Sequence, residues 1–207
     1  MEGIEWDALL PWINVGVMVL STLLMFVLYL MSSRPAQLEK KIGGVAYKKC
    51  GRYRMVASVF ELIVIGTYFV YANNPLPLPI PETFPWDSWI SVAVALIIGI
   101  PAGYVMLRGV LDAGEESMLP RKKGNLFVGI YKKIRHPQAM GELPLWWSLS
   151  LFLNSPFLAV YSIIMIPIFI GVALYEEQDL EIRFGKKYTA YKANTGFVIP
   201  RGTAPHS

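Results

Sequence analysis

All 19 lysines and arginines of this 207-residue sequence fall in three segments, and long apolar runs separate these from three segments that hold none. Seven lie in 32–54, seven in 108–138 and five in the tail from 176 onward. The segments 1–11 and 73–88 and the short tip at 154–155 have no basic residue. The intervening runs are 12–31, 55–72, 89–107, 139–153 and 156–175. A run of twenty residues at roughly 1.5 Å rise covers about 30 Å, the thickness of a bilayer core. The pattern predicts an all-α, polytopic membrane protein with about five transmembrane helices. An odd number of crossings is what puts every basic segment on one side; a three-span division would need a basic stretch on the outer face. The positive-inside rule then predicts an outer N-terminus and a cytoplasmic C-terminus.

Composition agrees, with 54% hydrophobic and 16% charged residues, against about a quarter charged in a globular chain. The formal charge of +4 fits basic loops beside anionic headgroups, and no nucleic-acid partner is expected. The first run is not expected to be a cleavable signal, because no basic region precedes it and its apolar part is too long. The single cysteine, Cys50, allows neither an intramolecular disulfide nor a cysteine-based zinc site. With only two histidines, His136 and His206, no metal set is expected. The run 139–153 is short and carries Glu142 and Pro144, so it reads as a tilted, partial or re-entrant helix. Asn154, Ser155 and Pro156 make a tight helical hairpin with the fifth run. Spaced prolines at 75–81 predict a stiff, extended strap on the outer side.

Two patches on the basic side carry most of the remaining information. The first runs over 129–141 and contains Tyr131, Arg135, His136, Pro137, Gln138, Ala139 and Gly141. The second runs over 176–191 and opens with Glu176 and Glu177. The hairpin makes the last two runs antiparallel, so both patches meet at one face. Leu180, Phe184, Tyr188 and Tyr191 recur at helical spacing and predict a cytoplasmic amphipathic helix bent near Gly185. Each feature also has a plain structural reading: anchoring by basic residues, an interfacial histidine, carboxylates marking a helix end. Yet acidic residues at a helix C-terminus oppose its dipole. Glu61 and Glu142 lie inside apolar runs, where a carboxylate is costly and therefore a functional candidate.

As an ordered set, Gly129-x-Tyr131, Arg135-His136-Pro137, Gly141, the hairpin, Glu176-Glu177, Phe184-Gly185-x-x-Tyr188-x-x-Tyr191 and Pro200 resembles the isoprenylcysteine carboxyl methyltransferase family and the wider phospholipid methyltransferases. The resemblance covers about residues 120–200. It implies a membrane methyltransferase using S-adenosyl-L-methionine, with 1–110 as three N-terminal spans and 111–207 as the cofactor-binding part. By position, the cofactor contacts it implies are Lys123, Gly124, Asn125, Leu126, Tyr131, His136, Pro137, Gln138, Ala139 and Glu176. Arg135, His136, Glu142 and Glu177 are the expected catalytic residues, with Glu142, Glu177 or His136 available to take a proton from an amine or thiol. Two departures bear on the acceptor. Ala139 stands where the family often has an aromatic residue. No arginine precedes the paired glutamates, where the isoprenylcysteine enzymes have one. A lipid amine, a thiol or another small amphiphile is thus at least as compatible as an isoprenylcysteine carboxylate. Two alternatives remain: an NADPH-dependent reductase of a sterol-like or isoprenoid lipid, and a non-catalytic lipid-binding protein. A transporter fits less well, since one carboxylate in each of two spans is a thin polar pathway.

Overall fold

The computed structural model describes residues 6–122 and 127–201. Lys123, Gly124, Asn125 and Leu126 of the expected cofactor set lie outside these residues, as does His206. Eight α-helices follow in order: α1 Trp6–Ser32, α2 Pro35–Ile42, α3 Val45–Asn73, α4 Ser88–Ala113, α5 Pro137–Phe152, α6 Pro156–Tyr161, α7 Met165–Phe184 and α8 Lys186–Asn194. A 3-10 turn, Ser162–Ile164, joins α6 to α7 into one continuous rod. No strand occurs among the described residues, only a single bridge between Ile134 and Gly196.

Among the described residues, four helical rods are long and apolar enough to cross a membrane: Ala8–Ser32, Val45–Asn73, Ser88–Ser117 and Pro156–Phe184. Their outer faces show large apolar side chains: Leu62 is 67% exposed, Ile97 72% and Val160 68%. A soluble monomer rarely leaves such a surface open, and the chain is a multi-pass membrane protein. The expectation of about five spans meets a shorter element in α5. Its 16 residues extend about 24 Å at 1.5 Å per residue, below what a bilayer core needs. It nevertheless runs antiparallel to α4 over most of that helix. Gly109 lies beside Pro137 and Gln138 at one end, Ser148 Oγ donates to Ala95 O at 2.7 Å, and Ser91 Oγ donates to Asn154 Oδ1 at 2.7 Å at the other. Gly141 permits the close approach midway: a Cβ there would sit 2.5 Å from Ala102 O and Met106 N.

The hairpin follows the sequence reading. Asn154 adopts φ 52°, a left-handed conformation that asparagine tolerates better than most residues. Ser155 then caps α6 through a bond from Leu158 N, and Pro156 starts the helix. The second patch differs from expectation: residues 176–184 continue α7 instead of beginning a separate helix. Gly185, at φ 54°, ends α7, and α8 turns off from it.

The core lies between α1, α3, α5 and the α6–α7 rod, around Met18, Met25, Val64, Tyr68, Trp146 and Leu158. Hydroxyls stitch it together: Tyr68 Oη to Ser162 Oγ at 3.1 Å, Ser150 Oγ to Ser162 Oγ at 3.0 Å, and Thr22 Oγ1 to Tyr161 Oη at 2.8 Å. In a bilayer, where apolar burial between helices drives little, each such bond contributes on average about 0.6 kcal/mol. At the opposite end the three basic segments converge. Arg54 donates to Glu116 O and Ser117 O at 3.1 and 2.9 Å, and Lys122 pairs with Glu39 at 2.8 Å. Asp179 Oδ1 accepts from Ala36 N and Gln37 N, satisfying the free amides that open α2.

Candidate functional site

At this basic end a cavity of about 290 Å³ opens between α3, α4, α5, α7 and α8. Tyr131, His136, Pro137, Gln138, Ala139 and Glu176 all line it. So do Arg135 and Glu142, whereas Glu177 lies behind the wall. The division at about residue 110 does not isolate this cavity, because Tyr29, Arg54, Ser58 and Glu61 of the N-terminal half also face it.

The segment carrying Tyr131 is held against α4 at several points. Gly129 takes φ 53°, and its lack of a side chain admits the Asp112 carboxylate. Asp112 Oδ2 accepts from Ile130 N at 2.8 Å. Tyr131 Oη donates to Gly109 O at 3.2 Å and accepts from Gln138 Nε2 at 3.1 Å. Tyr191 Oη donates to Tyr131 O at 2.6 Å. Burial pushes the Tyr131, Tyr188 and Tyr191 phenols well above their ordinary value, so all three are neutral hydroxyls, not bases. Tyr188 is buried in the wall, and its hydroxyl finds no partner among the described residues.

The adjacent glutamates diverge, as consecutive helical residues must. Glu176 turns into the cavity, half-buried, 3.6 Å from Arg54 Nη2 and 3.8 Å from His136 Nδ1. Glu177 turns away into a buried ionic cluster. Arg135 Nε reaches its Oε1 at 2.7 Å, His136 Nε2 lies at 3.2 Å, and Lys192 Nζ pairs with Oε2 at 2.8 Å. The Glu177 and Glu181 carboxylates hold the Lys192 amine above its ordinary value. Arg135 Nη1 also donates to Lys192 O at 2.8 Å and Thr195 O at 2.6 Å. The tail completes this brace. Gly196 O accepts from Arg135 N at 2.8 Å, Phe197 O accepts from His136 N at 3.1 Å, and the Phe197 ring rests against His136 with centroids 4.8 Å apart. Arg135 and Glu177, two expected catalytic residues, thus form the clamp that fixes His136 at the cavity mouth.

Deeper, the Glu142 carboxyl faces that of Glu61 across the α3–α5 gap. Tyr29 Oη donates to Glu61 Oε2 at 2.7 Å, while Glu142 Oε1, shielded from solvent, meets no donor among the described residues. Both carboxyls also line a second cavity of about 450 Å³. Ile65 of α3, Leu96, Gly99 and Ile100 of α4, and Leu145 and Leu149 of α5 make its mostly apolar wall.

Tyr29, Arg54, Ser58 and Glu116 are cavity residues that sequence reasoning passed over. Arg54 carried a signal only as one of seven basic residues in its segment. Glu116 carried none: it sits in the 3-10 turn Gly114–Ser117 after α4 and pairs with Arg183 of α7 at 3.0 Å.

Two curated proteins share similarity with the chain. Methanethiol S-methyltransferase 2 of Bradyrhizobium diazoefficiens is 23% identical over 167 residues, 72% of this chain and 58% of that protein. Methanethiol S-methyltransferase of Pseudomonas deceptionensis is 37% identical over 76 residues, 34% of this chain and 26% of that protein. The chain thus matches about half the length of the first and about a quarter of the second. No family model matches the sequence, and no solved structure does. The chain is thus similar, at low identity or over a short stretch, to two proteins named as methanethiol S-methyltransferases.

Proposed function

We propose that this chain is an S-adenosylmethionine-dependent membrane methyltransferase acting on a neutral, apolar acceptor of the thiol class, with its basic, cavity-bearing end in the cytoplasm. The observation that carries the reading is the single cavity shared by Tyr131, His136, Pro137, Gln138, Ala139 and Glu176. The relatives' printed names add the transferred group and the thiol.

The residues present fit the cofactor. Tyr188 offers a hydroxyl with no partner of its own. Glu176 offers carboxylate oxygens to ribose hydroxyls, and Arg54 and the first turn of α5 offer positive charge and free amides to a carboxylate. When bound, adenosylmethionine supplies an electrophilic methyl on a sulfonium. The protein's own task is to align the acceptor with that methyl and exclude water, a positioning contribution. The Arg135–Glu177–Lys192 clamp keeps His136 and the α5 start in place for it. A thiol acceptor is favoured over a carboxylate because Ile170 to Tyr175, the stretch before the paired glutamates, contains no cation.

Calorimetry on the purified protein tests the reading. Adenosylmethionine binds, and His136→Ala and Glu176→Ala each weaken it. Unchanged affinity in both variants removes the site assignment. NADPH binding in place of adenosylmethionine would favour the reductase.

A further inference from the structure

The Glu61–Glu142 pair is the one carboxyl cluster that the cofactor reading leaves without a task. Neither residue belongs to an ion pair among the described residues. They are not held for packing alone, because their side chains border open space on two sides: the cavity at the basic end and the apolar groove between α3, α4 and α5. Met106 is the other residue common to both linings, so the two spaces lie on either side of these three side chains. A carboxyl pair in a poor dielectric is suited to hold a shared proton and still present a free oxygen as an acceptor. Tyr29 fixes which side is occupied, donating to Glu61 Oε2, while Glu142 Oε1 is left without a donor.

We propose that the groove between α3, α4 and α5 holds the methyl acceptor, and that the Glu61–Glu142 pair takes its proton. This deepens the methyltransferase reading and rests on it. The groove's apolar wall suits an alkyl group, and the carboxyl pair at its inner end suits a neutral S–H and repels a carboxylate. The S–H bond breaks and its proton passes to the free carboxyl oxygen. The sulfur lone pair forms the new S–CH₃ bond while the methyl–sulfonium bond breaks, its electron pair staying on the departing thioether. The pair, now carrying two protons, returns one to water through the basic-end cavity, which it also lines.

The test uses the full chain in lipid nanodiscs with butanethiol as acceptor. Glu142→Gln and Glu61→Gln keep adenosylmethionine affinity within about twofold, lower kcat by about 100-fold, and recover rate as rising pH lets solvent generate more thiolate. Ile100→Trp, placed at an exposed edge of the groove, raises the butanethiol KM at least tenfold with kcat and cofactor affinity unchanged. One readout needs no turnover: the infrared signal of a protonated carboxyl in the cofactor-free protein disappears in each glutamine variant and shifts when butanethiol is added. Both glutamine variants within threefold of the parent rate, with its pH profile, overturn the proton role. An unchanged KM in Ile100→Trp overturns the groove assignment. Failure of the parent protein to bind adenosylmethionine sinks the methyltransferase reading instead, and the infrared response to butanethiol then still decides whether the groove takes a thiol.

Discussion

Two groups of acids lie within one fold and are treated in opposite ways. Glu177 is met by Arg135, His136 and Lys192, and every oxygen it has is used. Glu61 and Glu142 face each other with one tyrosine between two carboxyls. A neutralised carboxylate is a fastener: removing it strands its cations and loosens whatever they joined. An unneutralised pair gives little to stability and retains capacity for protons. The contrast separates the residues that build the cavity from those placed to react in it, and chemical type alone does not make that distinction.

The largest effect expected is on the fastener. Glu177→Ala leaves Arg135 and Lys192 without their partner and lowers stability by about 3–5 kcal/mol, read as a fall in the melting temperature in detergent. A variant that melts like the parent would break the comparison. Next, Glu142→Leu abolishes thiol methylation yet leaves melting unchanged or raised, since it removes a buried group that lacks a donor. A marked loss of stability there would mean the pair is also a fastener. Tyr188→Phe weakens adenosylmethionine binding about five- to tenfold by calorimetry, corresponding to about 1–1.4 kcal/mol for one hydrogen bond, with no change in thiol KM. The smallest effect belongs to Lys192→Met. Its amine is partly exposed, so the solvent-screened pair contributes below about 1 kcal/mol, and melting drops only slightly. Because the folded-state pKa of Lys192 is raised, its contribution is fully present at neutral pH and is lost only as pH climbs past the ordinary lysine range.

Much of this was legible before any coordinates. The apolar runs marked the long helices, and Asn154-Ser155-Pro156 marked the hairpin because each residue type suits its place in that turn. Glu61 and Glu142 stood out singly as carboxylates in apolar runs. Their meeting did not, since it depends on how α3 packs against the α4–α5 pair, and hydropathy carries no register between helices. The split between Glu176 and Glu177 was equally hidden: the two lie about 100° apart on α7, and only packing decides which faces open space. The continuation of α7 through 176–184 is not legible in the sequence, because the charges at 176 resemble a helix end. They are instead consumed by partners from Arg135, Lys192 and Arg54.

The pairing of the tail with the His136 segment sets an order of events in biosynthesis. The backbone of Arg135 and His136 is bonded by Gly196 and Phe197, and the Arg135 side chain reaches Thr195, 60 residues later in the chain. A ribosome delivers the first wall of the cavity well before the stretch that braces it. A chain ending near residue 190 would carry the four long apolar helices described above and still lack the residues that brace the basic end. The cavity wall at that end is therefore completed by residues that lie C-terminal to all four.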